Sequence, residues 1–199
     1  MASSAPEPRS PRATAIVDAA RELLEEEGLE RLSMRRLADR LGIRAPSLYK
    51  HFADKQALEA ALISDGFVDQ ADAFEAAVLD SEDPLAALAT AYRAFAGDHP
   101  HLYRLMTERP LQREQLVPGV EGRASRALNE SVGQDMDLAR AIWAFAHGMT
   151  NLELNGRFPP NADLDAAWER GVTAFRPRPH NGIATAPPPS PNTGDREAL

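Results

Sequence analysis

Residues 33–55 read Ser-Met-Arg-Arg-Leu-Ala-Asp-Arg-Leu-Gly-Ile-Arg-Ala-Pro-Ser-Leu-Tyr-Lys-His-Phe-Ala-Asp-Lys, the layout of a helix-turn-helix. Leu37, Ala38 and Leu41 share one face at helical spacing, behind Ser33, whose hydroxyl suits an N-cap. The pattern predicts a helix over 34–41, a turn at Gly42 and a short second helix over 45–51. Two short helices joined by a Gly-containing turn form the frame that presents a helix to the DNA major groove. Charge points the same way. Across residues 31–55, seven basic residues (Arg31, Arg35, Arg36, Arg40, Arg44, Lys50, Lys55) stand against two acidic ones (Asp39, Asp54), in a chain whose net charge is −8. A basic island in an acidic protein is the pattern of a local phosphate footprint.

The charge is uneven along the rest of the chain. Residues 1–60 carry ten basic and ten acidic groups, whereas residues 61–199 carry twelve and twenty. Nucleic acid is therefore expected to touch the N-terminal end alone. The 199 residues suffice for a core without covalent staples. The absence of cysteine excludes disulfides and thiolate metal sites and suits a reducing compartment. No apolar run approaches the ~18 residues of a membrane span, and the N-terminus lacks a signal core, so the expectation is a cytoplasmic protein.

Between the tails nearly every segment has helical periodicity, so the expected fold class is all-α. Pro11 suits a first turn and Gly28 a stop, which predicts a helix over 11–27 with Ile16, Ala20, Leu23 and Leu24 inward. The run Glu25-Glu26-Glu27 reads as a solvated helix end. Asp54 can cap a long helix over 55–79, with Leu58, Leu62, Phe67 and Phe74 inward. Further helices are expected over 84–97, 100–107, 114–132, 135–155 and 161–175. The polar, Pro-containing residues 1–10 and the Pro-rich residues 176–199 are expected to be disordered. The domains are then a DNA-binding unit over 11–57 and a helical ligand-binding and dimerisation unit over 58–175.

Gly42-Ile-Arg-Ala-Pro-Ser-Leu-Tyr-Lys-His-Phe52, with Lys55 three residues on, closely resembles the signature of the TetR family of transcriptional regulators. The preceding Leu32-Ser-Met-Arg-Arg-Leu-Ala-Asp-Arg-Leu41 fits the same pattern, and the resemblance covers roughly residues 12–60. Pro46 stands where many members have Gly, and Arg44 where a small or acidic residue is common. The expected DNA contacts are Ser33, Arg35, Arg44, Ala45, Ser47, Tyr49, Lys50, His51 and Lys55. Arg35 and Arg44 can pair bidentately with guanine, and Ala45 and Ser47 can meet a thymine methyl. Lys50 projects toward phosphate or base, and Lys55 should grip phosphate and position the head. For Tyr49 and His51 the resemblance implies phosphate contact; Leu48 reads as a core plug.

The C-terminal part resembles the subset of TetR-like regulators whose ligand domain carries a Trp-His-Gly signature, here Trp143-Ala-Phe-Ala-His147-Gly148 followed by Leu152-Glu-Leu-Asn-Gly-Arg-Phe158. His99-Pro-His-Leu-Tyr-Arg-Leu-Met106 matches the same subset. The resemblance implies a small-molecule effector pocket, with Phe67, Phe74, Tyr92, Phe95, Leu102, Tyr103, Met106, Trp143 and His147 as expected lining. The segment 138–154 is apolar on two faces, which suggests one face on its own core and one on a partner subunit. The expected homodimer surface is Leu138, Ala141, Phe145, Gly148 and Leu152, with Leu164, Trp168 and Val172 from the last helix. Two reading heads about one DNA turn (~34 Å) apart would require such a dimer. His99 and His101 lack a supporting carboxylate cluster, so neither metal nor cofactor is expected.

The expected function is a transcriptional regulator, a repressor by the family's habit, that binds a palindromic double-stranded operator as a dimer and answers to a small molecule. An interaction module whose sequence-specific DNA binding is lost or effector-dependent is the alternative. An enzyme is not expected, because the chain has no Gly-rich phosphate loop, nucleophile elbow or paired-histidine metal motif.

Overall fold

Ser10 accepts a hydrogen bond from the Ala13 amide at 3.2 Å and opens α1 (Pro11–Glu27). Pro11 sits where a missing N–H loses nothing. The computed structural model describes residues 9–176. The expected tails therefore fall outside the described residues, except at their inner ends, where the expectation of disorder is corrected. Arg9 pairs with Asp65, one oxygen at 2.7 Å, Ser10 is the cap of α1, and Arg176 pairs with Asp83. Among the described residues there are nine α-helices, one 3-10 turn and no strand.

The head comprises α1, α2 (Met34–Arg40), α3 (Ala45–Leu48) and the start of α4 (Lys55–Val78). Ser33 caps α2 through the Arg36 amide at 3.3 Å, and Asp54 caps α4 through the Ala57 amide at 2.8 Å. Regular winding in α3 ends at Leu48, three residues earlier than expected. The His51 and Phe52 amides both donate to the Leu48 carbonyl, at 2.9 and 3.0 Å, so the chain leaves as a turn. Leu48 and Phe52 are both buried, and anchoring both in so short a segment sets that turn. Ile16, Leu24, Leu37, Leu48, Leu58 and Leu62 form the centre of the head core. Phe95, Leu102, Leu105 and Met106, which come from further along the chain, belong to that same core.

The body adds α5 (Pro84–Asp98), α6 (Pro100–Thr107), a 3-10 turn (Arg113–Gln115), α7 (Val120–Ser131), α8 (Met136–Leu154) and α9 (Leu164–Phe175). Asp83, Asp135 and Asp163 cap α5, α8 and α9 with their carboxylates. Helix α7 begins at Val120, not at residue 114, because Gly119 takes a left-handed φ of +87° that no continuing helix allows. A second core gathers Phe74, Leu88, Tyr92, Tyr103, Ala146 and Trp168. Arg93 of α5 ties α8 through Glu153 at 2.8 Å and α9 through Asp165 at 2.6 Å.

The glutamate run 25–27 is not a solvated end. Glu25 accepts from the His101 and Leu102 amides at 3.1 and 2.9 Å, satisfying the first turn of α6, where the N-cap His99 offers no side-chain bond. Glu26 binds Arg40 and Glu27 binds Arg36. The three carboxylates lock α1 to α2 on one side and to α6 on the other.

Candidate nucleic-acid interface and body cavity

The head presents the segment around α3 to solvent. Arg35, Arg44, Lys50 and His51 are exposed, and Tyr49 is 51% exposed, unusual for a large ring. Ser33, Ala45, Ser47 and Lys55 are half-buried around them, and Leu48 is fully buried beneath. The Ser33 hydroxyl is occupied in capping α2.

The basic island is smaller than its residue count. Arg40 donates to Glu26 at 2.6 and 2.8 Å and to Glu22 at 3.0 Å. Its hydrogen bonds to Glu26 and then to Glu22 raise the guanidinium above its ordinary pKa, and the bond donated by Arg40 lowers that of Glu26. Arg36 is held by Glu27, and Lys55 lies 3.3 Å from Glu59. Among the described residues, Arg31, Arg35, Arg44 and Lys50 have no carboxylate within 4.0 Å. No sequence pattern marked the division of the arginines, because the glutamates that pair with Arg36 and Arg40 lie nine to eighteen residues away on another helix.

Behind the head, α4, α5, α7, α8 and α9 enclose a cavity of about 400 Å³. Phe67, Phe74, Tyr92, Met106 and Trp143 lie on its wall. Phe95 and Leu102 are placed elsewhere, in the core shared with the head, where both are buried. Tyr103 and His147 stand one layer behind. The Tyr103 hydroxyl is 3.1 Å from that of Tyr92 and 2.7 Å from His147 Nδ1. Burial raises the pKa of both phenols, so each remains a protonated donor. Trp143 is 55% exposed and lies across the His147 ring, centroids 6.3 Å apart.

Gln70 and Phe175, which no site expectation includes, and Trp168 and Val172, expected at the dimer surface, all line the cavity. Gln70 sits between Phe67 and Phe74 on one face of α4; a polar residue at an apolar face position was the available signal. Trp168 and Val172 are buried within the protomer, and Phe145 packs edge-on against Trp168 at 5.5 Å. Of the residues expected at a dimer surface, Ala141 and Leu152 are exposed, and Leu138, Gly148 and Leu164 are half-buried. A smaller cavity of about 260 Å³ lies between the start of α4 and the segment 109–116, with Glu59 and Arg109 on its wall. The His99 ring packs on Phe95 and His101 abuts Gly28; among the described residues no cluster of metal-ligating side chains occurs. No helix there is long and apolar enough to cross a membrane.

A head that offers a short helix with free cations, joined by one continuous helix to a body holding an apolar cavity, defines a helix-turn-helix DNA-binding protein with a sensor-type body. Residues 16–62 match the family profile described as bacterial regulatory proteins, tetR family, and residues 85–175 match that of the tetracyclin repressor-like C-terminal domain. The chain belongs to the tetR family of transcriptional regulators, DNA-binding at its head and ligand-responsive through its C-terminal domain. It is 29% identical over 164 residues to an uncharacterized HTH-type transcriptional regulator of Mycobacterium tuberculosis, covering 77% of this chain and 74% of that one. The class C tetracycline repressor of Escherichia coli is 52% identical over 48 residues, 24% of this chain and 22% of the repressor. Among solved structures, the regulatory protein SCO4313 superposes with a TM-score of 0.70 at 26% identity, covering 85% of this chain and 99% of that one. A protein of unknown function from Rhodococcus sp. RHA1 gives 0.68 at 27% identity, with 86% and 97% covered.

Proposed function

We propose that the protein is a dimeric repressor that reads an inverted-repeat operator and is modulated by a small molecule held in the body cavity. One observation carries the reading. Helix α4 begins at Lys55 beside the exposed recognition segment and runs without interruption to Phe74 on the cavity wall. A ligand that shifts this helix changes the attitude of the head, so unequal affinity for two head positions becomes regulation. Arg35, Arg44, Ala45 and Ser47 read bases, whereas Lys50, Tyr49, His51 and Lys55 hold phosphate. Dimerisation runs through the outward face of α8, where the small Ala141, Ala144 and Gly148 leave room for close approach of a second α8 and exposed Leu152 supplies apolar surface. The protein acts in the cytoplasm and is not an enzyme.

Selection of bound duplexes from a random pool at near-physiological salt tests this reading. Enrichment of an inverted repeat, lost on charge reversal at Arg44 and Lys50 in a protein that stays folded, supports it. Salt-sensitive binding with no enriched sequence, with and without candidate effectors, refutes it. Gly148→Leu should yield folded monomers by light scattering; an unchanged dimer would place the interface elsewhere.

A further inference from the structure

The cavity wall is apolar where it is buried and charged only toward solvent. Its charged side chains, Arg109, Arg113, Glu121 and Arg140, are between 37% and 69% exposed. Of the wall's uncharged polar side chains, Ser125 is exposed, Thr107 and Asn129 are half-buried and bonded to the Tyr103 carbonyl and to Ser125, and the buried Trp168 indole donates to Glu153; Tyr92 and Gln70 are the other buried ones. The Tyr92 hydroxyl is engaged by Tyr103 at 3.1 Å. Gln70 is 8% exposed and has no hydrogen bond among the described residues. Sealed side-chain oxygens without a hydrogen bond are confined there to Glu59, which meets Lys55 as an ion pair only, and Thr150; Gln70 is not among them and lines the cavity, so its amide opens onto it. Phe67 and Phe74 precede and follow it on α4, and one helix face presents ring, amide, ring.

An amide set in an apolar wall demands a partner, because a dry ligand would leave two donors and an acceptor unsatisfied. An ionised group at the same depth would find no counterion and would be buried uncompensated. We propose that the cavity takes an uncharged, largely apolar molecule bearing one carbonyl or hydroxyl group, and that Gln70 reads that group. This deepens the effector reading given above and rests on it. Gln70 is thus the specificity-determining residue, while the rings supply affinity without selectivity among apolar bodies.

The chain's two tryptophans, Trp143 and Trp168, both line the cavity, so intrinsic fluorescence reports occupancy directly. The probes are 4-tert-butylcyclohexanone, its hydrocarbon tert-butylcyclohexane and its ionised analogue 4-tert-butylcyclohexanecarboxylate, titrated into the native protein and Gln70→Leu. The ketone is expected to bind about tenfold or more tighter than either analogue, the worth of one hydrogen bond from the Gln70 amide N–H to its carbonyl. In Gln70→Leu the ketone should fall to the hydrocarbon's affinity while the hydrocarbon still binds, which shows the cavity intact. A ketone preference that survives Gln70→Leu, or a carboxylate that binds tightest, overturns the assignment to Gln70 and leaves the cavity's role standing. If no probe alters the fluorescence of either protein, the effector reading of this cavity fails and the assignment fails with it.

Discussion

Arg40→Ala should leave the salt dependence of DNA binding unchanged, although Arg40 lies inside the basic island. Its guanidinium is already committed to Glu26 and Glu22 on α1, and Arg36 is committed to Glu27. Arg31, Arg35, Arg44 and Lys50 remain for DNA, and because Arg35 and Arg44 reach for base edges, counting all four as phosphate contacts sets an upper bound. Each phosphate neutralised adds about 0.9 to the slope of log affinity against log salt, so four cations per head give at most about −3.6 and two heads at most about −7. Lys55, held by Glu59 at 3.3 Å, adds at most one contact per head and takes two heads to about −9. All seven basic residues in each of two heads would instead give about −13. Fluorescence anisotropy on an operator duplex between about 50 and 300 mM salt separates these values. Lys50→Ala should flatten the slope by about 1.8 for two heads, and Arg40→Ala should not move it. A native slope near −13, or a flattening by Arg40→Ala equal to that of Lys50→Ala, would refute the division: the glutamates would then be releasing their arginines to DNA.

Glu25→Ala removes the acceptor for two amides at the start of α6 and should destabilise the protein by about 1–3 kcal/mol, measured by urea unfolding. Gly171→Ala places a methyl against the Phe145 ring and should lower stability by about 1–3 kcal/mol, whereas Gly148→Ala meets nothing within 4 Å in the protomer and should not. Tyr103→Phe leaves the buried Tyr92 hydroxyl and His147 Nδ1 without their shared partner and should lose about 1–3 kcal/mol by thermal or urea unfolding; Tyr92→Phe leaves the Tyr103–His147 bond and should lose less.

Helices whose ends are set by nearby residues were legible from the chain alone. The spans 11–27 and 100–107 read correctly to the residue, because Pro11, Gly28 and Pro100 act through backbone geometry within one turn. The recognition segment was legible for the same reason: its cap, turn and basic residues lie within 25 consecutive positions. Gly119 was harder, since glycine alone does not announce a positive φ, and α7 was started six residues early.

Long-range pairing was not legible at all. Glu25 and His101 are 76 residues apart, and the glutamate run resembles a solvated end until the fold brings α6 over it. Periodicity showed that α8 is apolar on more than one face, but not which face meets α9, so Trp168 and Val172 were assigned to a partner when their own protomer covers them. Amphipathicity is a property of one helix, whereas burial depends on what is packed against it. The division of the basic island and the open amide of Gln70 have the same origin. A charge or amide is free or engaged according to neighbours that chain folding supplies, and those neighbours leave no mark beside it in the sequence.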